Sequence, residues 1–379
     1  MPAVRSVLVV GAGAAGCATA ILLAQAGVDV EIVESRPEFP ETGSGITLQG
    51  NALRVLRELG VWEPLQAAGY AFDSVGIRAP GPHAPVVAEI PDVRTGGPDL
   101  PATLGVPRPV LARLLLDRAT AVGAKVSFDT SPTHLTQDAD GVVVSFSSAA
   151  DRRFDLVVGA DGIHSWTRRA IDVDTEPRSV GMGIWRAYVP RPADVVRTDL
   201  TYGGRCYIAG YCPTGPDEMY AYLVEDAQDR SGLARSEQVA TFRDLASSYH
   251  GPWDEIRESL GDDTHVNYAR FEHHVVDGPW HRGNVVLVGD AAHSCPPTIA
   301  QGAALALEDA AVLAELLVAA DVLDDELLTR YATRRAPRAR AVVEASVQIA
   351  EWMLDRTPPA EADVPGLMRR VSTIVTERA

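Results

Sequence analysis

The apolar residues of this chain follow two rhythms, and the places where one gives way to the other outline the fold. Val7 to Val10 is a continuous apolar run rich in valine. After a set of glycines come the Ala/Leu-rich stretch Ala14 to Ala26, Gly27, and a second apolar run from Asp29 to Val33. This order predicts a buried strand, a helix closed by a glycine cap and a parallel strand, joined by a right-handed crossover. Between residues 71 and 107 the pattern breaks into short alternating pieces rich in Pro and Gly, which predicts loops and edge strands leaving the first domain. A helix from Pro109 to Ala121 follows, then strands around Lys125 to Phe128, Val142 to Phe146 and Phe154 to Val158.

From Met182 to Val275 a two-residue alternation dominates, in pieces such as Ile184 to Val189, Arg205 to Cys212 and Glu218 to Glu225. Helical interruptions are predicted near Glu237 to Tyr249 and Trp253 to Leu260. The apolar run Val285 to Val288 then returns to the rhythm of the first domain and leads through Gly289 to a helix from about Gln301. Asp325 to Met353 and the residues from Pro365 onward read as further helices. The expected fold class is α/β: a discontinuous Rossmann-like domain interleaved with a β-sheet domain and followed by C-terminal helices.

A chain of 379 residues with 46% hydrophobic and 22% charged residues supports a sizeable core in two lobes. Its formal charge of -17, with no compact Lys/Arg cluster, argues against nucleic acid or an anionic membrane as partner. A phosphate-bearing ligand must therefore be held by local donors. No apolar run is long enough to cross a bilayer, and the start lacks the pattern of a signal peptide, so a cytoplasmic protein is expected. Cys17, Cys206, Cys212 and Cys295 form no C-x-x-C pair, which fits a reducing compartment and predicts neither a dithiol mechanism nor a metal site.

Gly11-Ala-Gly13-Ala-Ala15-Gly16 is a G-x-G-x-x-G between a strand and a helix, the setting in which that motif carries information. Gly11 allows the tight turn, Gly13 lets the backbone approach a pyrophosphate, and Gly16 lets helix and strand pack closely. The anion is then held by the free N–H groups and dipole of the helix start. Glu34, followed by Ser35, ends the second strand where a carboxylate can accept ribose hydroxyls; it would repel a 2'-phosphate, so FAD or NAD suits the site better than NADP.

Two further segments extend the pattern. Asp155 to Gly162 is an apolar strand ending in Gly-Ala-Asp161-Gly162, followed by Ser165, Arg168 and Arg169. Arg282 to His293 is a second strand ending in Gly289-Asp290, followed by Pro296-Pro297 and Gln301-Gly302. With the N-terminal glycines, these segments resemble the class A flavoprotein aromatic hydroxylases, the group that includes 4-hydroxybenzoate, salicylate and 6-hydroxynicotinate hydroxylases. The resemblance covers nearly the whole chain. It implies an FAD-binding domain over residues 1–70, 101–180 and 276–322, a substrate domain over 71–100 and 181–275, and C-terminal helices over 323–379.

That resemblance implies noncovalent FAD, with NADH or NADPH as cosubstrate and O2 as oxidant, acting through a C4a-hydroperoxyflavin on a small phenolic or N-heteroaromatic ring. It places Asp290 by the ribityl and ribose hydroxyls, and Gly302 and Ala303 at the pyrimidine edge of the flavin. Gly45 lies in the loop that passes the ring, and Arg108 matches an Arg-x-x-Leu whose guanidinium reaches the cofactor. The resemblance associates the Asp161-Gly162 turn with FAD and NAD(P)H pyrophosphate contacts; Asp161 and Arg108 each keep a second reading, as a helix cap and as a solvated first-turn residue. The chain has Ala300 and Ala304 where the usual Pro-x-x-Gly-Gln-Gly-x-Asn has Gly and Asn, a variant closer to the hydroxynicotinate type.

Substrate contacts are expected from the β-rich domain. In Arg205-Cys-Tyr207-Ile-Ala-Gly-Tyr211 the odd positions share one strand face if the whole segment is extended, which groups Arg205, Tyr207 and Tyr211. The two tyrosines are the candidate catalytic residues. Tyr211 falls where hydroxynicotinate-type relatives carry an active-site tyrosine, and a packed core tyrosine is the competing reading. Thr47, Arg186 and Pro297 complete the candidate substrate contacts, with His273, His274 or a water relay open as a base. Epoxidation, Baeyer-Villiger insertion, and an FAD-dependent reductase without oxygen insertion are alternative reactions on the same fold. A monomer and a homodimer are both open.

Overall fold

The computed structural model describes residues 2–39 and 43–379. Ser6–Val10 pairs in parallel with Asp29–Val33 on one side and Leu156–Gly159 on the other, with the helix Ala14–Gln25 between the first two strands. Lys125–Ser127 and Val285–Leu287 extend this parallel sheet outward, and the short antiparallel strand His281–Arg282 closes one edge. Val7–Val10, Leu156–Val158 and Val285–Leu287 are continuous Val/Leu runs because these central strands are covered on both faces. The strand at 285–287 is separated by more than a hundred residues from its neighbour at 156–159, so the domain is discontinuous.

Those intervening residues supply five strands of an eight-stranded sheet, whose spatial order is His293–Ser294, Val266–Val275, Arg178–Pro190, Glu218–Asp226, Ile208–Pro213, Thr198–Tyr202, Ser74–Arg78 and Val86–Pro91. The excursion at 74–91 thus pairs with residues far ahead of it, through a parallel contact between Ser74–Arg78 and Thr198–Tyr202. One face of this sheet is sealed by the helices Arg235–Leu245 and Pro252–Ser259, where Phe242, Trp253 and Ile256 pack on Trp185, Ala209 and Tyr211. The other face turns toward the Rossmann-like domain. A small sheet of Gly45–Gln49, Thr103–Pro107 and Tyr70–Phe72 stands between them.

Three helices finish the chain: Gly302–Ala319, which packs against Ala14–Gln25, the thirty-residue Asp325–Leu354, and Val364–Thr376. The last two lie against the loop Pro297–Ile299 through Ile299, Val342, Ile349 and Val371. No described helix is long and apolar enough to cross a membrane.

Candidate active site

The three glycines of the first loop do different work. Gly11 has φ +102°, and a Cβ there would come within 2.5 Å of the Ala160 carbonyl oxygen. A Cβ on Gly16 would lie 2.0 Å from the Gly11 carbonyl oxygen, so the helix rests directly on the turn. Gly13 is the N-cap of Ala14–Gln25 at φ -72°, and a Cβ there would meet no protein atom within 4 Å. Gly13 and Ala15 face a cavity of about 2190 Å³, whereas Gly11 and Gly16 shape the turn behind it. The Glu34 carboxylate accepts from Ala12 N at 3.1 Å and from Arg36 N at 3.0 Å, with Ser35 Oγ at 3.3 Å. Glu34 and Ser35 therefore brace the loop and lie outside the cavity lining.

Asp161 takes its capping reading. Its carboxylate accepts from Ser165 Oγ, from Thr167 N at 2.8 Å and from Thr167 Oγ1 at 2.9 Å, fixing the start of Trp166–Ala170. The cavity is lined instead by the adjoining Ala160 and Gly162, the latter at φ +79°. Behind them the buried Arg168 donates to the carbonyls of Ile163 at 2.8 Å and Ala291 at 3.0 Å, which ties the second motif to the third.

At the third motif Gly289, with φ +58°, turns the chain so that Asp290 projects into the cavity. Burial pushes the Asp290 carboxyl up, against the pull of His293 and Arg108. Gly289 N donates to the buried Asp309 at 2.9 Å, and the same carboxylate meets His293 Nε2 at 2.7 Å and Arg335 Nε at 2.7 Å. Pro297, Gly302 and Ala303 line the cavity, and Ala300 takes the left-handed φ of +54°. That conformation gives a physical reason for glycine at this place in the usual pattern. Gln301 is buried and held by Gln49 and Asn51, with Asn51 Nδ2 donating to its Oε1 at 3.0 Å. Cys295, whose thiol burial raises to about 12, also lines the cavity.

Opposite stands the sheet. Gly45 leaves room for the Tyr220 ring, since a Cβ there would lie 2.2 Å from Tyr220 Cδ1, and Thr47 Oγ1 is 2.8 Å from Tyr220 OH. Arg186 pairs in register with Tyr222 on the neighbouring strand, so Arg186, Tyr220 and Tyr222 share the cavity face. Arg108 lines the same cavity from the start of Arg108–Ala121. Among the described residues no carboxylate pairs with the Arg186 guanidinium. Burial and then Arg108 lower its pKa to about 10, partly offset by Tyr220 and Tyr222. Both tyrosine hydroxyls are pushed up by burial.

The expected grouping of Arg205, Tyr207 and Tyr211 does not form. Gly203 and Gly204, at φ +80° and +89°, hold a turn, and the strand begins only at Ile208. Within it the odd positions face the covering helices. Tyr211 is 1% exposed, packs on Trp253 and donates to Asp199 Oδ2 at 2.9 Å. Arg205 stands at the cavity rim but is paired with Asp244 Oδ2 at 2.7 Å on the outer helix. Tyr207 also lies at the rim, with its hydroxyl donating to Asp226 at 2.6 Å and its pKa raised by burial, then by that bond, to about 12.

His274 is buried between Arg168 Nη1 at 3.2 Å and Ser294 Oγ at 3.1 Å, and burial followed by Arg168 drives its pKa down to about 3. Neither His274 nor His273 lines the cavity. Sequence reasoning does not select Tyr220 and Tyr222; their two-residue spacing, which puts both on one strand face, is the only signal it offers.

This placement makes a prediction. Tyr211→Phe removes one donor from Asp199, which keeps Arg78 Nε at 2.7 Å and Arg197 Nε at 3.1 Å. Unfolding free energy should fall by about 1–2 kcal/mol in urea titration while turnover is unchanged. Loss of turnover with unaltered stability would return Tyr211 to the site.

Comparison with known proteins gives the family and the fold. Residues 5–346 match the family described as FAD binding domain. The chain is 31% identical over 362 residues to the putative FAD-dependent monooxygenase YetM of Bacillus subtilis, covering 94% of this chain and 96% of that protein. It is 30% identical over 352 residues to the 3-amino-4-hydroxybenzoate 2-monooxygenase PtnB3 of Streptomyces platensis, covering 89% and 85%. Its fold matches the crystal structure of Klebsiella pneumoniae HpxO complexed with FAD and uric acid at a TM-score of 0.81, with 22% identity over 98% of this chain and 92% of that one.

Proposed function

From the premise that the chain belongs to the FAD binding domain family and is an FAD-dependent monooxygenase of the aromatic-hydroxylase type, we propose that it hydroxylates a phenolic or N-heteroaromatic substrate with NAD(P)H and O2. FAD fits the residues present. Gly13 and Ala15 offer a helix start to a pyrophosphate, Asp290 offers a carboxylate to ribityl or ribose hydroxyls, and Gly302 and Ala303 offer a second helix start to the flavin edge. Ser35, Glu34 and Asp161 brace these segments. When bound, FAD supplies hydride acceptance and activation of O2.

The observation that carries the substrate reading is the Arg186 guanidinium, which has no carboxylate partner among the described residues and stands beside Tyr222 on the wall opposite the FAD loops. A cation in a low-dielectric cavity favours the charged form of an acid placed against it. Arg186 therefore lowers the pKa of a bound phenol and makes its ring electron-rich without a dedicated base. Tyr220 and Tyr222, raised by burial, stay protonated at neutral pH and serve as hydrogen-bond donors. Thr47 holds the Tyr220 hydroxyl, while Ile184, Leu200 and Pro297 keep water from the reacting ring.

The test is a screen of phenols and hydroxylated N-heteroaromatic compounds for stimulated NAD(P)H oxidation, with product mass showing one added oxygen. O2 consumption without oxygen in any product would overturn the reading. Arg186→Gln should keep its FAD and lose about ten- to hundredfold in kcat/KM for a phenolic substrate, the worth of a charge-assisted hydrogen bond. The loss should be greatest on the acid side, because the bound phenol then ionises at higher pH. A pH profile parallel to that of the parent enzyme would remove Arg186 from this role.

A further inference from the structure

Resting on that reading, we infer that the preferred substrate carries an aliphatic substituent on its aromatic ring, and that this substituent lies in an apolar arm of the cavity between the eight-stranded sheet and the C-terminal helices. Volume gives the first reason. A drug-sized ligand occupies a site of roughly 300–1,000 Å³, so a cofactor at the top of that range leaves about half of the 2190 Å³ cavity. A single-ring phenol fills a small part of the remainder.

The lining gives the second reason. Ile349, Trp352 and Met353 near the end of Asp325–Leu354, and Met368 on Val364–Thr376, line the cavity together with Ile184 and Leu200 of the sheet. Met353 packs both with the group around Ile184 and Tyr222 and with the group around Ile349 and Val371. The apolar wall is therefore continuous from the ring end, marked by Arg186 and Tyr222, to the last two helices. Trp352, Met353 and Met368 are only partly buried although each faces the interior of this cavity. Side chains of that kind gain from an apolar ligand the burial that the fold does not give them. Two methionines suit a flexible chain, because their unbranched thioethers repack around different shapes.

The test uses the FAD-loaded enzyme and two homologous series, 2-alkyl-4(1H)-quinolones and para-alkylphenols from methyl to nonyl, read by the change in flavin absorbance on binding. Affinity should rise by up to about fourfold with each added methylene over several carbons. Trp352→Ala, which empties the arm, and Met368→Trp, which fills it, should each cut the ratio of heptyl to methyl affinity by about tenfold or more. Flavin content and cooperative unfolding identify a variant that has failed to fold, and the other variant then decides. Equal affinity along both series, weaker binding of the longer members, or no flavin response to any member would overturn the inference. Chain-dependent binding without oxygen insertion would overturn the proposed reaction and leave the arm standing.

Discussion

Asp309→Ala is expected to destabilise the protein by about 3–5 kcal/mol, the cost of breaking a buried ion pair from one side. Asp309 and Arg335 are both 0% exposed, with Oδ1 accepting from Arg335 Nε at 2.7 Å. Arg335 Nη1 also stands 3.1 Å from Glu308 Oε2, and Glu308 meets Arg338 at 3.1 Å and Asn51 at 3.2 Å. Asp309 is thus the point through which this charged group reaches Gly289, and removing it frees the turn that aims Asp290. FAD affinity should fall along with stability.

Burial raises the Asp309 carboxyl, but His293 and Arg335 outweigh it and hold the pKa below the usual range. A depressed native pKa contributes stability that is complete above the unfolded value of about 3.9 and is lost as pH falls through the native one. The stability gap between the parent and Asp309→Asn should therefore shrink below about pH 4. Urea titrations across pH, with FAD titration at neutrality, check both statements. An Asp309→Ala protein within about 1 kcal/mol of the parent would refute the assignment.

Gly13→Val should give a folded protein that purifies without flavin. The φ of -72° is open to valine, and the added Cβ meets no protein atom, so the fold has no reason to resist it. The branched carbons would stand where phosphate oxygens need direct access to the helix start. Losing even one or two charge-assisted bonds there costs about 1.5–3 kcal/mol each, or about one to four decades in FAD affinity. Equilibrium binding of FAD to the apoprotein measures it. A fully flavinated Gly13→Val enzyme would move the pyrophosphate elsewhere. The same substitution at Gly11 or Gly16 tests nothing comparable, because a side chain there strikes backbone.

Local patterns made the FAD side readable. A continuous apolar strand, a glycine turn and an Ala-rich helix specify one another over some thirty residues, and Ser6–Val10, Ala14–Gln25 and Asp29–Val33 lie within a residue or so of their predicted bounds. The substrate wall depends on register, which is set at a distance. Reading Arg205 to Cys212 as one strand ignored the break that Gly203 and Gly204 impose, and with side chains alternating every residue the tyrosine at 211 fell on the wrong face. Arg186 becomes a neighbour of Tyr222 only through pairing between strands more than thirty residues apart. Glu308 and Asp309 did leave a trace. Two adjacent acids in a helix whose one other charge is the exposed Glu315 have no polar face to share and imply buried cations, which Arg335 and Arg338 supply.

The late arrival of Val285–Leu287 in the parallel sheet also has a consequence for how the protein is made. The glycine loop at 11–16 is synthesised ahead of the eight-stranded sheet, but the turn that presents Asp290 and the helix that starts at Gly302 follow only after seven of that sheet's eight strands have been made. Contacts so remote in sequence form slowly and cannot form during early elongation. A nascent chain released short of that point has a pyrophosphate loop but lacks the groups that would hold the rest of the flavin. Cofactor capture therefore selects finished molecules, and the stabilisation it brings by mass action is withheld from truncated ones.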